Sequence, residues 1–164
     1  MKEINIREDH YDAIQNKQPL INVIEVFFKK NHPKAQLPQR KHNTDTGYDL
    51  YSVEPKVIKS KSDAVVETGI EIAHITPNYW YLIAPRSGLG FAHGIQPHLG
   101  IIDNGYRGTL GVKLYNFSDK DYEIKEGDRI AQLVFFPLVQ ALPFWSTETT
   151  SSSRGDSGFG SSGR

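Results

Sequence analysis

Asp103 and Tyr106 are the first candidates for chemistry in this sequence, because they stand on either side of an Asn104-Gly105 pair. Asn-Gly is a strong local signal for a tight turn, so the sequence predicts a hairpin over 100–108. A carboxylate can act as a base, and a tyrosine ring offers a flat surface for stacking. The hairpin could therefore serve one ligand, although a structural hairpin in which Asp103 serves the turn remains an alternative.

A second candidate is an anion-binding loop over 85–90, directly after the aromatic run 79–84. Arg86 offers a forked pair of charged donors, Ser87 offers a neutral donor, and Gly88 lets the backbone approach a ligand closely. This combination suits a phosphate group. An ordinary turn with a surface arginine is the alternative.

Asp49 and Gln132 are polar residues in segments that otherwise suit buried strands, 44–52 and 127–133. Buried polar groups need hydrogen-bond partners. Each residue is therefore either a satisfied core group or part of a site.

The C-terminal residues have a composition that cannot build a packed core. Seven of the eight residues over 146–153 are Ser or Thr, and 154–164 is rich in glycine. We expect this tail to be mobile when alone, and Arg154 with the glycine backbone could wrap an anion. A solvated tail without a role is the alternative. The glycines at 158, 160 and 163 match a dinucleotide fingerprint, but no helix can follow them, so that interpretation is rejected.

The elements that must position these residues are predicted to be short strands. Extended runs separated by turn residues recur along the chain, at 24–28, 64–72, 79–84, 109–115 and 130–136. No convincing helical period accompanies them, which favours an all-β sandwich or barrel with a jelly-roll-like topology.

Composition limits the class of protein further. A chain of 164 residues has the length of one domain. Its 19 basic and 19 acidic side chains balance, so we expect it to bind neither nucleic acid nor an anionic membrane. The absence of cysteine excludes disulfides and thiol chemistry. No apolar run is long enough to span a bilayer, and the polar N-terminus lacks a secretory signal, so we expect a cytoplasmic protein.

Five segments, taken together and in order, resemble the motifs of the trimeric deoxyuridine triphosphatase (dUTPase) family: 46–52, 85–90, 100–108, 127–133 and 154–163. The resemblance extends over 22–164. It implies a homotrimeric β jelly roll that hydrolyses dUTP to dUMP and pyrophosphate with Mg²⁺, at sites shared between subunits. That reaction keeps uracil out of DNA and supplies dUMP for thymidylate synthesis. In a cell infected by a virus, a viral member would act in the host.

The resemblance also implies residue roles. Asp103 matches the catalytic aspartate that deprotonates the water attacking the α-phosphorus, and Asp49 and Gln132 match residues that hold waters around Mg²⁺. Substrate-binding residues on the same basis are Arg86, Ser87, Gly88, Gly100, Ile101, Tyr106, Gly111, Arg154, Phe159, Gly160, Ser161 and Ser162.

Within that set, different residues match the family's contacts to different parts of the substrate. Tyr106 matches the ring that packs against deoxyribose, and the backbone of Gly100 and Gly111 matches the groups that meet the uracil edge. Arg86, with the two residues after it, matches a phosphate-contacting segment from another subunit. In the tail, Arg154 matches the γ-phosphate ligand and Phe159 the ring over uracil, and 160–162 matches the loop that closes over the triphosphate.

Two alternatives remain beside this interpretation. The related dCTP deaminases share the fold, but their chemistry needs a glutamate near the base, where this chain has Thr109. A non-enzymatic, nucleotide-responsive binding protein is the other. The predicted domains are an accessory arm over 1–21, a β-domain over 22–145 and the tail over 146–164. The arm has no counterpart in the family pattern and is a possible site for a protein partner.

Overall fold

The computed structural model describes residues 23–153 and 155. In chain order its elements are β1 (Val26–Lys30), β2 (Tyr48–Tyr51), β3 (Lys56–Ile58), β4 (Asp63–Ile75), β5 (Tyr79–Ala84), α1 (Ser87–His93), β6 (Ile95–Pro97), β7 (Gly100–Ile102), β8 (Thr109–Asn116), β9 (Tyr122–Ile124) and β10 (Arg129–Pro137). The predicted all-β class is confirmed.

The strands form two four-stranded antiparallel sheets and a small two-stranded one. Sheet A has the order β1-β4-β8-β6, sheet B has the order β2-β10-β5-β7, and β3 pairs with β9. One hydrophobic core joins the two large sheets, with Val112 and Leu114 from sheet A and Leu50, Tyr81 and Leu133 from sheet B. This double-sheet arrangement fits the predicted jelly roll.

Alternation along the strands explains which side chains face the core. Leu110, Val112 and Leu114 of β8 are buried, while the alternate residues Thr109 and Lys113 are exposed. In β10, Ala131 and Leu133 are buried and their neighbour Gln132 is only half-buried on the opposite face. The period of two predicted from the sequence is thus the period that buries the core.

The predicted hairpin over 100–108 is wrong. β7 pairs with β5 in sheet B, whereas β8 pairs with β4 and β6 in sheet A, so the segment between them crosses from one sheet to the other. Asn104 and Gly105 do form a turn, closed by the Tyr106 N–H donating to Asp103 O at 3.1 Å. β7 instead forms the edge of sheet B, beside β5.

The segment over 85–90 also differs from the predicted loop, because a short helix begins at Ser87. Leu89 is buried and fixes the helix to the core. The helix ends at Gly94, whose left-handed backbone (φ 67°) lets its N–H donate to Gly90 O at 3.0 Å.

Several predictions concern residues outside the described ranges, namely the accessory arm over 1–21 and tail residues 154 and 156–164. Within the described ranges, helices are too short or too polar to cross a membrane.

Candidate active site

A cavity of about 400 Å³ opens on the outer face of sheet B, beside the start of α1. Gln132 of β10 lies opposite Asp49 of β2 on one side and Ala84 of β5 on the other. Residues directly opposite each other share a face of the sheet, so Asp49 and Gln132 reach the same cavity. Its lining residues are Lys41, Asp45, Thr46, Gly47, Asp49, Arg86, Ser87, Gly88, Arg129 and Gln132.

Asp49 orients two guanidinium groups at this cavity. Arg86 Nε donates to Asp49 Oδ1 at 2.8 Å, and Arg129 Nη1 donates to Asp49 Oδ2 at 3.2 Å. Arg86 Nη1 also donates to the backbone oxygen of Arg129 at 3.0 Å. The Asp49 side chain is only 14% exposed, so its bond from Arg86 Nε is partly shielded from water. A guanidinium has five donors, and Arg86 therefore keeps capacity for an anion.

The charges around Asp49 also act on its neighbour Tyr51. Burial, and then the Asp49 carboxylate, raise the pKa of Tyr51, while Arg129 and Arg86 oppose them. Tyr51 therefore remains a neutral phenol beside the cavity at physiological pH.

The position of the Gln132 side chain depends on a hydrogen bond from its amide and on the space left by a glycine. Its Nε2 donates to the backbone oxygen of Pro85 at 2.8 Å, at the junction of β5 and α1. The rest of its amide lies over Gly47, where an added Cβ would overlap the side-chain oxygen. Gly47 therefore provides the space in which Gln132 reaches the cavity.

Ser87 and Gly88 stand at the start of α1, next to Arg86. Both are exposed, and a Cβ built on Gly88 would meet no atom within 4 Å. Gly90 N–H donates to Arg86 O at 3.1 Å, which closes the first turn of the helix. The backbone of this turn is thus accessible to a ligand in the cavity.

The loop that carries Asp103 is anchored by its neighbours. Asn104 Nδ2 donates to Thr76 O at 3.0 Å and to Tyr79 O at 2.8 Å, across the turn between β4 and β5. Arg107 Nη1 donates to the backbone oxygen of Asn104 at 2.6 Å. Asp103 itself is exposed on this anchored loop.

Tyr106 leans over Gly108. Its hydroxyl donates to Thr109 O at 3.3 Å, and a Cβ at Gly108 would overlap the phenol ring. The ring is 45% exposed and presents a flat face to solvent.

Asp103 is not among the residues that line the cavity described above, which we call the Arg86 cavity. Ile101 and Ile102 lie opposite Leu82 and Tyr81, and Asp103 follows directly, at the end of β7 nearest Trp80. Ala84, which lies opposite the cavity residue Gln132, is four residues from Trp80 along β5. At about 3.3 Å per residue, the Asp103 loop and the cavity are separated by roughly 13 Å along the strand direction alone. In sheet B, β10 and β5 also lie between β2 and β7.

A partly exposed apolar strip lies between the Asp103 loop and the cavity. Val134, Leu82 and Ile101 lie side by side across three strands, and Trp80 stacks on Phe136 at 4.7 Å. Ile101 is 69% exposed. More exposed apolar side chains follow β10, at Leu138, Val139, Leu142, Phe144 and Trp145. Contiguous surfaces of this kind mark contacts with other proteins.

Gly100 and Gly111 lie on different sheets rather than on the two strands of one hairpin. Gly100 pairs with Ile83 in sheet B, and Gly111 lies opposite Glu67 in sheet A. A Cβ at Gly111 would come within 3.2 Å of Val65 Cγ1, which is a tight contact.

The described residues contain no group of three or more His, Cys, Asp or Glu that could hold a metal directly. The Asp49 carboxylate and the Gln132 amide are nevertheless oxygen donors at one cavity. Mg²⁺ keeps several waters and is commonly bound through one or two carboxylates and substrate phosphates. The donors present therefore fit Mg²⁺ reached through water.

Sequence reasoning missed three contributors to this region: Lys41, Asn104 and Arg129. Arg129 follows a predicted turn and lies three residues before Gln132, but no sequence pattern indicates a role for it in the site. The sequence predicts a turn at Asn104 but does not indicate that its side chain anchors the loop. Tail residues Arg154, Phe159, Gly160, Ser161 and Ser162 are outside the described ranges, and their predicted roles are not tested.

Comparison with known proteins identifies the family. The dUTPase family model matches residues 33–163. A deoxyuridine 5'-triphosphate nucleotidohydrolase of Candida albicans is 42% identical over 156 residues, which are 93% of this chain and 97% of the relative.

Two solved structures have the same fold. The dUTPase of Staphylococcus bacteriophage 80alpha with dUPNHPP has a TM-score of 0.78 and 31% identity, over 87% of this chain and 99% of the phage chain. A mutant dUTPase of phage phi11 of S. aureus, described with a structural Mg(II) ion, has a TM-score of 0.71 and 28% identity, over 79% and 100%. With the family model matched over most of its length, this chain belongs to the dUTPase family.

Proposed function

We propose that this chain hydrolyses dUTP to dUMP and pyrophosphate at a site that its subunits share. In this arrangement the Arg86 cavity of one subunit holds the triphosphate, and Asp103 of a neighbouring subunit activates water. The observation that carries the proposal is the separation of the two groups. They are about 13 Å apart along the strand direction alone, and a partly exposed apolar strip lies between them.

The Arg86 cavity suits a polyphosphate chain. The Asp49 carboxylate holds two guanidinium groups in place, and the exposed first turn of α1 adds Ser87 and the backbone of Gly88. Forked guanidinium donors match the spacing of phosphate oxygens. Because the groups are oriented before the substrate arrives, little ordering is required when it binds.

Asp103 is the proposed general base. A carboxylate within hydrogen-bond reach of a water takes its proton while the water oxygen attacks the α-phosphorus. The new bond joins that oxygen to the α-phosphorus, the bond from the α-phosphorus to the bridging oxygen breaks, and pyrophosphate leaves with the bonding electrons. The Asn104 and Arg107 bonds hold the loop in place for this step.

Tyr106 and the two glycines are proposed to select the nucleoside. The Tyr106 ring would pack against the deoxyribose and leave no space for a 2′-hydroxyl. Backbone groups at Gly100 and Gly111 would meet the uracil edge, where a wrong base leaves a buried polar group unpaired at a cost of about 1–3 kcal/mol. Ile101 would contribute through its backbone, because its side chain belongs to the apolar strip.

Mg²⁺ is the proposed cofactor. Asp49 and Gln132 would hold it through waters. Bound to the phosphate chain, the ion would neutralise charge on the phosphates and on the departing pyrophosphate.

A homotrimer is the proposed assembly. An apolar strip that separates two halves of a site fits a head-to-tail contact, in which one end of a subunit meets the other end of the next. Three such contacts close a ring, and each would unite one Asp103 with one Arg86 cavity.

The tail is proposed to complete each site. Arg154 would reach the γ-phosphate, Phe159 would cover uracil, and residues 160–162 would close over the triphosphate and exclude water. The boundaries 22–145 for the β-domain and 146–164 for the tail belong to this proposal, as does a cytoplasmic location. Fractionation of source cells with an antibody would test the location.

A product assay tests the proposed reaction. The full chain is incubated with Mg²⁺ and, separately, with dUTP, dTTP, dCTP and UTP, and monophosphate, pyrophosphate and ammonia are measured. We expect dUMP and pyrophosphate from dUTP alone. Ammonia from dCTP would instead indicate deaminase chemistry, and no product from any nucleotide would indicate a binding protein.

A further inference from the structure

Lys41 lines the same cavity as Arg86 but has no place in the mechanism above. It belongs to the loop 40–46, which precedes β2. Lys41 can bind a ligand in the cavity if the loop is held in place and if no carboxylate already neutralises the Lys41 ammonium.

Internal contacts brace the loop. The Arg40 guanidinium lies 4.8 Å from the centre of the Tyr48 ring, and its Nη1 donates to Asp45 O at 3.2 Å. His42 N–H donates to Asp45 Oδ2 at 2.9 Å, and Asp45 N–H donates back to His42 O at 3.0 Å. Since Tyr48 packs against Phe135 of β10, the loop is fixed to sheet B with Lys41 at the cavity.

The charge of Lys41 is not neutralised by the neighbouring carboxylates. Asp49 forms ion pairs with Arg86 and Arg129, and no ion pair between described residues involves Lys41. The cavity lining holds three cationic and two anionic side chains. Lys41 therefore gives the lining its net positive charge, which an anionic ligand requires.

We propose that Lys41 is a further substrate-binding residue, whose ammonium contacts the β- and γ-phosphates of the nucleotide. This inference rests on the proposed function of the cavity. A compact ammonium binds phosphate as a point charge, and the terminal phosphates concentrate the charge of a nucleoside triphosphate. Lys41 therefore strengthens binding of the triphosphate but not of the monophosphate product.

The test compares Lys41→Met, Lys41→Arg and a control, Lys30→Met, in the full chain with Mg²⁺. Lys30 is an exposed lysine at the end of β1 in sheet A. Calorimetry measures Kd for dUPNHPP and for dUMP, and steady-state assays measure kcat and KM for dUTP. For Lys41→Met we expect Kd for dUPNHPP and KM to rise about fivefold to tenfold, within the range of charge-assisted bonds. Kd for dUMP stays at the wild-type value, Lys41→Arg recovers most of the affinity, and Lys30→Met matches the wild type.

Unchanged affinity of Lys41→Met for dUPNHPP would overturn the inference. Equal weakening for dUPNHPP and dUMP would also overturn it, because the substitution would then act through the loop rather than the terminal phosphates. If the wild type releases no dUMP from dUTP, the proposed function fails instead, and the two Kd values still decide the role of Lys41.

Discussion

Asp103 owes its position to the residue that follows it. Asn104 was predicted only as a turn former, yet its amide bridges to the turn between β4 and β5 through two hydrogen bonds. The type of residue at 103 was readable from the sequence, because few side chains can act as a base. The anchoring of the loop by Asn104 could not be predicted, because Thr76 and Tyr79 are distant from Asn104 in sequence and approach it only in the folded chain.

Asn104→Ala should therefore lower catalysis more than stability. Losing two bonds to backbone oxygens costs about 1–3 kcal/mol of unfolding free energy. A freed Asp103 loop should lower kcat about tenfold or more, with a smaller change in KM. Steady-state kinetics and urea unfolding of the same preparations would measure both effects. Wild-type kcat in a folded Asn104→Ala variant would contradict the anchoring role.

Tyr81 is a buried residue whose hydroxyl has no hydrogen-bond partner among the described residues. Burial raises its pKa to about 12, while nearby Arg107 opposes the shift. An unpartnered buried hydroxyl costs stability, so Tyr81→Phe should be about 1 kcal/mol more stable than the wild type at pH 7.

The pH dependence of the same variant has a definite sign. Above pH 10 the unfolded chain can release the Tyr81 proton and the folded chain cannot, so the wild type loses stability as the pH rises towards 12. Tyr81→Phe lacks this loss. Urea unfolding from pH 7 to pH 11 would show the stability difference widening above pH 10. Parallel curves would show that burial does not shift the pKa of Tyr81.

At the level of strands, the alternation of apolar and polar residues predicted which side chains face the core. The runs at 79–84 and 109–115 became β5 and β8 because side chains on one face of each strand are buried. The hairpin prediction failed because an Asn-Gly pair reports a turn but not the partners of its flanking strands. β7 pairs with β5 in sheet B rather than with β8, and this pairing is a property of the whole topology.

The pairing of β2 with β10 brings Gly47 under the Gln132 amide. Gly47→Ala should displace Gln132 from the cavity, because the added methyl overlaps its side-chain oxygen. We expect the apparent affinity for Mg²⁺ in dUTP hydrolysis to fall about threefold to tenfold, with unfolding free energy lowered by about 1–3 kcal/mol.

Gly105→Ala is the matched stability control, because a Cβ at Gly105 meets no atom within 4 Å. Magnesium titrations of activity, with urea unfolding, would separate the two effects. If Gly47→Ala retains the wild-type magnesium dependence, Gln132 is not needed at the cation.

For the whole molecule, the sequence could indicate an assembly only through resemblance to a family. Composition does not show which apolar residues remain exposed. The strip containing Leu82, Ile101 and Val134 became visible only when the register of three strands was known. Likewise, the five motif segments gave no distance between Asp103 and Arg86.

Removal of the tail tests whether it completes the site. A chain ending at Ser153 keeps all ten described strands and should unfold with wild-type stability. We expect its kcat/KM for dUTP to fall at least a hundredfold, because the proposed γ-phosphate ligand Arg154 and the covering ring Phe159 are absent. Full activity of the truncated chain would show that the tail is dispensable.

The most direct test of a shared site is to mix two inactive variants. Asp103→Asn lacks the base, and Arg86→Ala lacks the phosphate ligand. Each alone should lose at least about 10²–10³ in kcat. In the mixture, sites that receive Asp103 from one variant and Arg86 from the other are intact.

Equal amounts of the two variants are unfolded together, refolded, and assayed for dUMP release. Random assembly of a ring with head-to-tail contacts predicts recovery of about a quarter of the wild-type activity. Each variant refolded alone is the control. A mixture no more active than the separate variants would contradict a site assembled between subunits and would place both residues in one chain's own site.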